Sequence, residues 1–260
     1  LKEVDDAYRE VAGLMMSTPT KEGEYSAIVV DETQDFGPQA LKLLRAMIPQ
    51  GPNDLFFVGD GHQRIYSRNR AAMSKCGIDI RGRSRKLYLN YRTTDEIRRQ
   101  AIALLEGCEV DDLDDGHDET KRYKSLSHGP APSVVTADGL EAAAVLATEF
   151  IRRLRAEVTD SPPSVCVIAS SEKNREAMAK QLLSAGLAGV TISAQSNHAD
   201  ARDAVHFATM HRAKGLEFDA VVVVAPGNFF RDPEETASQR KLMYVALTRA
   251  KRAAMLIRLD

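Results

Sequence analysis

The chain has 260 residues, a formal net charge of −2, 28% charged residues and three cysteines. This length is enough for one large or two modest domains, each with its own hydrophobic core. No apolar run reaches the roughly eighteen residues of a membrane span, and three widely separated cysteines do not build a disulfide framework. We therefore expect a cytoplasmic protein with reduced thiols and no membrane partner.

Charge is distributed unevenly along the chain. Between residues 64 and 99, eleven Lys and Arg residues stand against three acidic ones. Between residues 106 and 119 there are eight acidic residues and no Lys or Arg. The basic stretch is either a solvated face or a surface for phosphate groups, and both interpretations remain open. The acidic stretch predicts an exposed loop.

Apolar spacing predicts helices that alternate with strands along the whole chain. In the first half we expect helices over 1–16, 38–48 and 94–105, and strands over 27–30, 55–58 and 86–90. In the second half we expect strands over 133–136, 165–169, 205–209, 220–225 and 254–259, with helices over 138–157, 171–185 and about 234–250. This alternation indicates an α/β fold whose strands are mostly parallel.

The stretch YSAIVVDETQD, residues 25–35, joins an apolar run to an acidic pair. The run predicts a strand buried on both faces of a parallel sheet, and ligands bind beyond the carboxyl ends of such strands. Asp31 and Glu32 follow at that end, where one carboxylate can hold Mg²⁺ and the other can orient or deprotonate water. Alternatively, the two acids only open a loop and cap the next helix.

One phosphate-binding motif is absent from the sequence. No G-x-x-x-x-G-K-[ST] loop occurs in the 260 residues, so the backbone amides that would cradle phosphates are not supplied by such a loop here. The chain begins with Leu1 rather than Met. We therefore expect a fragment or processed product, with a missing N-terminal segment of the same protein.

Five segments resemble, in order, the later motifs of UvrD/Rep-like superfamily 1 DNA helicases. They are VVDETQDF (29–36), FFVGDGHQRIY (56–66), LNYRTTDEI (89–97), ATMHRAKGLEFDAVVVV (208–224) and MYVALTRAKRAAML (243–256). The resemblance implies an α/β fold of RecA-like parallel sheets, with ATP between two domains and single-stranded nucleic acid, expected to be DNA, across them. A partial first RecA-like domain would span 1–85, and a complete second RecA-like domain would span 86–260.

The resemblance also implies roles in binding ATP and Mg²⁺ for residues of the first domain. Asp31 resembles the Mg²⁺ carboxylate, and Glu32 resembles the catalytic base. Gln63 resembles the glutamine that senses the γ-phosphate and couples it to movement.

In the second domain, Arg92 and Arg249 resemble the two arginines that reach the γ-phosphate. Arginine suits this role because its planar fork neutralises charge on a transferring phosphoryl group. Glu217 resembles a carboxylate near the nucleotide ribose. The alternative for both arginines is an ordinary surface position.

Nucleic-acid contact is implied for Tyr66, Thr209 and His211. Tyr66 could instead pack under its loop, and His211 with Lys214 could only cap the turn at Gly215. The sequence departs from the family after Tyr66, where residues 68–70 are Arg, Asn and Arg in place of an aromatic followed by Arg-Gly. With no tryptophan in the chain, we expect strand binding to depend on phosphate contacts rather than base stacking.

We interpret the chain as a fragment of an ATP-dependent helicase or translocase. In the intact protein, Mg-ATP hydrolysis between the two domains would drive movement on single-stranded DNA, whereas this chain alone is expected to be inactive. The rival interpretation is a helicase-like module that binds nucleic acid or a protein partner without hydrolysing ATP. An upstream phosphate-binding loop would distinguish the two.

Overall fold

The computed structural model describes residues 4–17, 25–65, 72–108, 110, 122–157, 161–193, 203–227 and 233–260. The chain forms two compact units. The first unit comprises Leu1–Lys86 with Cys108–Glu119, and the second comprises Leu87–Gly107 with Thr120–Asp260. None of the described helices is both long and apolar enough to cross a bilayer.

The first unit is built on two parallel strands and two helices. Its elements are α1 (Val4–Ser17), β1 (Ile28–Val30), α2 (Pro38–Ala46) and β2 (Leu55–Phe57). The helix α1 packs on α2. A small core beneath the strands contains Leu41, Met73, Cys76 and Ile78, against which Leu55 and Phe57 pack.

The prediction that the first strand is buried on both faces is wrong. Val30 is buried, but Val29 is 71% exposed, and its parallel partner Phe56 is 62% exposed. Successive side chains of a strand point to opposite faces. In the described part of this unit the core lies on the face of Leu55 and Phe57, so the face of Val29 and Phe56 is open.

The second unit contains a six-stranded sheet in which all the described strand pairs are parallel. Its elements are β3 (Leu89–Asn90), α3 (Asp95–Leu104), β4 (Lys124–Ser125), β5 (Ser133–Ala137), α4 (Gly139–Glu157), β6 (Val165–Ala169), α5 (Glu172–Ser184), β7 (Gly189–Thr191), β8 (Val205–Thr209), β9 (Phe218–Pro226), α6 (Pro233–Leu247) and β10 (Ala250–Leu259). The sheet order is β5-β10-β9-β6-β8-β7, and β3 pairs separately with β4. The predicted α/β class with parallel strands is confirmed, and the architecture is consistent with a RecA-like fold.

Both faces of this sheet are covered, which explains the uninterrupted apolar strands. Along β6, Val165 and Val167 face the core with α4 and α5, while Cys166 and Ile168 face the core with α3 and α6. Burying one such side chain contributes about 1.5–3 kcal/mol. Apolar packing on both sides therefore stabilises the central strands.

Several element boundaries differ from the prediction. The strand expected over 86–90 is reduced to β3, and β4 and β7 were not predicted. The last helix ends at Leu247, and β10 already begins at Ala250. The amide of Phe218 donates to the carbonyl of Arg249 at 2.9 Å, which draws this stretch into the sheet. The acidic loop predicted over 106–119 lies mostly outside the described residues.

Candidate functional site

The predicted acidic pair stands directly after β1. Asp31 is exposed, Glu32 is half-buried, and the amide of Glu32 donates to Asp31 Oδ1 at 2.8 Å. Glu32 has the left-handed backbone φ 52°, ψ 40°, which costs a non-glycine residue roughly 1–2 kcal/mol. Strained residues of this kind concentrate at functional sites. Neither acid caps α2, whose N-cap is Gly37 without a side-chain hydrogen bond.

The loop after β1 is hydrogen-bonded to the loop after β2. The amide and the hydroxyl of Thr33 donate to the carbonyl of Val58 at 3.0 and 2.7 Å. Gln34 Nε2 donates to the Glu32 carboxylate, and Gln34 Oε1 accepts from the amide of Asp60 at 2.9 Å. Parallel pairing of the two strands brings their carboxyl ends together, and these bonds join the loops that follow.

Gln63 is held in the second of these loops by Asp60. Gln63 Nε2 donates to Asp60 Oδ2 at 2.9 Å, while Asp60 Oδ1 accepts from the amide of His62 at 2.9 Å and lies 3.1 Å from His62 Nδ1. Burial raises the pKa of Asp60, but the bonds from His62 and Gln63 and the His62 charge outweigh it and lower the pKa overall. Asp60 is therefore an ionised anchor for Gln63.

The residues at this strand end fit Mg²⁺. Asp31 and Glu32 supply carboxylate oxygens, the hard ligands that Mg²⁺ prefers. Within the described ranges, no group of three or more His, Cys, Asp or Glu side chains could hold a metal. A sparse carboxylate set suits Mg²⁺ because this ion keeps several waters and is bound by one or two carboxylates with substrate phosphates.

In the second unit, a cluster of cations surrounds Glu217. Arg92 Nε lies 2.8 Å from Glu217 Oε2, and Lys251 Nζ lies 2.8 Å from Glu217 Oε1. The hydrogen bond from Lys251 and the charges of Arg92, Lys251 and Arg249 lower the pKa of Glu217, although partial burial opposes them. Three cations against one carboxylate give the cluster a net positive charge, as an anion site requires.

Arg92 is presented by a turn that Asn90 organises. Asn90 Oδ1 accepts from the amides of Arg92 and Thr93 at 2.7 and 3.2 Å, and Asn90 Nδ2 donates to Thr93 Oγ1 at 2.9 Å. The next residue, Thr94, donates its amide to the carbonyl of Lys251 at 3.2 Å and caps α3. The turn is thereby fixed to the first residues of β10.

Arg249 is not a surface residue, because it is only 1% exposed. Its Nε donates to the carbonyl of Val245 at 3.0 Å, Nη1 to the carbonyl of Leu216 at 3.4 Å, and Nη2 to Thr248 Oγ1 at 3.3 Å. The surface alternative is therefore wrong for Arg249. Contact between this guanidinium and a phosphate would require it to leave some of these partners.

Sequence reasoning missed two residues of these clusters, Lys251 and Gln34. Lys251 stands two residues after Arg249 in the segment TRAK. This spacing could have indicated that Lys251 lies near the same site as Arg249. Gln34 lies inside the acidic segment DETQD, but its partner Asp60 is in the loop after another strand. Contacts between such distant positions become visible only once the strands are paired.

Thr209, two residues before His211 in the chain, lies away from the Glu217 cluster. Thr209 ends β8, level with Ala169 of β6, which is itself level with Val224 of β9. Glu217 stands seven residues before Val224 (217 to 224). At about 3.3 Å per residue, Glu217 and Thr209 are therefore separated by roughly 20 Å along the strand direction. The cluster is therefore at the amino edge of the sheet and Thr209 at the carboxyl edge. Tyr66 lies outside the described residues.

Two segments of the chain match known family models. Residues 204–257 match the family model of the UvrD-like helicase C-terminal domain, and residues 4–69 match that of an AAA domain. A solved structure, the C-terminal domain of a possible DNA helicase from Lactobacillus plantarum WCFS1, is similar with a TM-score of 0.49 and 23% identity, covering 65% of this chain and 88% of that chain. No curated protein matches the sequence.

Proposed function

We propose that this chain, whose predicted resemblance to UvrD-like helicases is confirmed by its family matches, is part of an ATP-dependent helicase or translocase acting on single-stranded DNA. ATP and Mg²⁺ would be its cofactors, and the cytoplasm its location. The observation that carries the proposal is the joined pair of loops at the end of β1 and β2. They bring Glu32 and Gln63 to one strand edge through Gln34 and Asp60.

The carboxylates of the first unit would divide the work of phosphoryl transfer. Asp31, which is exposed, would hold Mg²⁺, which when bound neutralises phosphate charge. Glu32 would orient and deprotonate the attacking water. Gln63, held by Asp60, would contact the γ-phosphate and report its presence to the neighbouring loop.

The cation cluster of the second unit would stabilise charge on the departing phosphoryl group. Arg92 is half-exposed and contacts Glu217 from a fixed turn. Its guanidinium can therefore release the Glu217 carboxylate and bind a phosphate instead. Arg249 would have to turn out of its buried position to make the same contact. Glu217 would accept a hydrogen bond from a ribose hydroxyl, in competition with Arg92 and Lys251. Thr209, His211 and Tyr66 would serve the DNA strand instead.

An additional segment of the same protein would complete the first unit. Val29 and Phe56 form an exposed cross-strand pair on the open face of the sheet. Contiguous exposed apolar surface of this kind marks an interaction site, and unpaired strand edges invite further strands. An added strand would pair at the sheet edge, and an added helix would cover this face. The phosphate-binding loop between them would supply the backbone amide donors that the sequence lacks.

A second candidate function is binding without hydrolysis. The observation in its favour is the absence of G-x-x-x-x-G-K-[ST] from the 260 residues. Such a module would keep Tyr66, Thr209 and His211 for contact with DNA. It would act by binding nucleic acid or a protein partner.

The two candidates are separated by extending the chain with its natural upstream sequence. Steady-state ATP hydrolysis is measured for the 260-residue chain and the extended chain, with and without single-stranded DNA. The helicase proposal expects DNA-stimulated turnover only in the extended chain, abolished by Glu32→Gln. An extended chain that binds DNA but does not hydrolyse ATP would establish the binding module and exclude the helicase.

A further inference from the structure

We infer that Gln34 is a positioning residue that fixes the Glu32 carboxylate and links it to the loop that carries Gln63. This inference rests on the proposed function, in which Glu32 activates water and Gln63 contacts the γ-phosphate. It adds a physical connection between those two events within the first unit.

The side-chain amide of Gln34 uses its donor and its acceptor on two different loops. Gln34 is fully buried, its Nε2 donates to the Glu32 carboxylate, and its Oε1 accepts from the amide of Asp60 at 2.9 Å. The orientation of the amide is unambiguous, because the carboxylate can only accept and the backbone amide can only donate. A buried amide requires such partners, since water does not replace them.

No other side chain of similar size has the same bonding capacity. Glutamate keeps an acceptor for the amide of Asp60 but places a second carboxylate against Glu32. Methionine fills a similar volume and makes neither bond, and asparagine is one methylene shorter. The identity of the residue therefore follows from the two partners it joins.

Glu32 needs such support because its backbone is strained and its side chain is only half-buried. The left-handed backbone at φ 52° aims the side chain away from the direction that a regular strand would give it. A partly exposed glutamate otherwise samples several rotamers. A general base displaced by about 1 Å can lose roughly 10²-fold in rate, so the bond from Gln34 should appear in kcat.

The connection continues from Gln34 to Gln63 through Asp60. Gln34 holds the backbone amide of Asp60, and the carboxylate of Asp60 holds Gln63 Nε2 at 2.9 Å. A movement of Gln63 toward a phosphate pulls on Asp60 and, through Gln34, on the Glu32 carboxylate. Nucleotide contact at one loop thereby adjusts the base on the other.

The first test uses the 260-residue chain and does not depend on catalysis. Unfolding midpoints in urea are measured for wild type, Gln34→Glu, Glu32→Gln and the double variant Glu32→Gln/Gln34→Glu. We expect Gln34→Glu to lower the midpoint, because two carboxylates then face each other. The double variant, which exchanges amide and carboxylate, should recover most of that loss. A double variant whose loss equals the sum of the two single losses would overturn the link.

The second test uses the extended chain that hydrolyses ATP. Gln34→Glu and Gln34→Met should lower kcat by about 10- to 100-fold with the KM for ATP within about twofold, because they displace the base rather than the nucleotide. Thr33→Val is the matched control: it removes the buried hydroxyl bond to Val58 between the same two loops, without touching Glu32, and should leave kcat unchanged.

The outcomes separate the inference from the proposed function. If Glu32→Gln abolishes turnover while both Gln34 variants keep the wild-type kcat, the inference is wrong and the proposed function stands. If Glu32→Gln leaves turnover unchanged, Glu32 is not the base and both the role assigned to it and the inference fail. If Thr33→Val lowers kcat as much as Gln34→Glu, general loosening of the loops explains the effect and the inference is overturned.

Discussion

Arg92 is joined to Glu217 by an ion pair in which Nε lies 2.8 Å from Oε2. The two side chains are 44% and 41% exposed, so this pair contributes little to stability, at most about 1 kcal/mol. The pair instead orients the Arg92 side chain, whose backbone the Asn90 turn holds in place. Arg92 is thereby held at the same carboxylate that Lys251 contacts and whose pKa the charge of Arg249 also lowers. The pair therefore organises charge more than it stabilises the fold.

Glu217→Gln should change stability only slightly and in a pH-dependent way. The pKa of Glu217 is below its usual 4.5 because of Lys251, Arg92 and Arg249. A carboxyl whose pKa is lowered on folding contributes stability above its unfolded pKa and loses it as pH falls through the folded value. We expect wild type to exceed Glu217→Gln by up to about 1 kcal/mol above pH 5, and we expect this difference to shrink as the pH falls below 4.5. Urea unfolding at a series of pH values measures this, and a gap that widens on acidification would contradict it.

Asp95→Asn should destabilise the second unit far more than Glu217→Gln. The Asp95 side chain is nearly fully buried and accepts from Arg98 Nη2 at 2.6 Å, Arg99 Nη2 at 2.7 Å and the amide of Ser125 at 3.3 Å. Removing its charge leaves Arg98, which is also largely buried, without its counterion, and such losses cost about 3 kcal/mol. Unfolding free energies in urea measure the effect.

The control for Asp95→Asn is Glu172→Gln, in the same unit. Glu172 is 79% exposed and lies 4.0 Å from Arg175, so this change should cost less than about 0.5 kcal/mol. Equal losses in the two variants would show that the buried ion pair of Asp95 has no special energetic role. The Arg98 bond and the nearby cations lower the pKa of Asp95, so its contribution persists until the pH falls below the usual 3.8.

The parts of the fold that local sequence determines were predicted well. β6 and β8 have the predicted boundaries, and each is a five-residue run that is buried on both faces. Ser164 and Ser170 additionally bound β6. β3 was predicted too long because its length depends on pairing with Lys124 and Ser125, more than thirty residues away. Val29 was expected to be buried because an apolar run does not reveal which elements cover it.

The site was predictable only as far as its residues belong to motifs of the helicase family. Arg92, Glu217 and Arg249 were selected by resemblance, and the structure brings all three to one cluster. The burial of Arg249 was not predicted, because its partners Val245 and Leu216 depend on how α6 meets the sheet. The roles of all three in ATP hydrolysis remain predictions.

Arg249→Met should both destabilise the chain and reduce turnover in the extended protein. The buried guanidinium donates to the carbonyls of Val245 and Leu216, and its loss leaves these acceptors unsatisfied at a cost of about 1–3 kcal/mol. An arginine that contacts a transferring phosphoryl group is worth about 10³–10⁵ in rate. We therefore expect turnover to fall by at least about 10³-fold at temperatures where the variant remains folded.

The comparison that isolates the catalytic role of Arg249 is Ile151→Val. Ile151 is fully buried in the core with α4 and α5, on the other face of the sheet from α6, and this change costs about 0.5–1.5 kcal/mol. It should lower stability with little effect on turnover. If Arg249→Met keeps wild-type turnover, the arginine is structural and its assignment to the γ-phosphate is wrong.

The basic stretch between residues 64 and 99 offers a test of nucleic-acid binding. Arg81, Arg83 and Arg85 are exposed within it, and Arg83 Nη2 donates to Asn53 Oδ1 at 3.0 Å. If these cations contact phosphates, binding releases counterions and the affinity falls with salt. If they form only a solvated face, their removal leaves the salt dependence unchanged.

Removing the three exposed arginines together should flatten the salt dependence of single-stranded DNA binding. Each phosphate contact on a single strand contributes about −0.7 to the slope of log K against log salt, so the triple alanine variant should lose about 2 from that slope. Fluorescence anisotropy with labelled strands at four or more salt concentrations gives the slopes. A matched control removes three exposed cations of α4 and α5, namely Arg153, Lys173 and Lys180. An equal change in both variants would indicate a general charge effect, and no change in the first would show that the basic stretch is a solvated face.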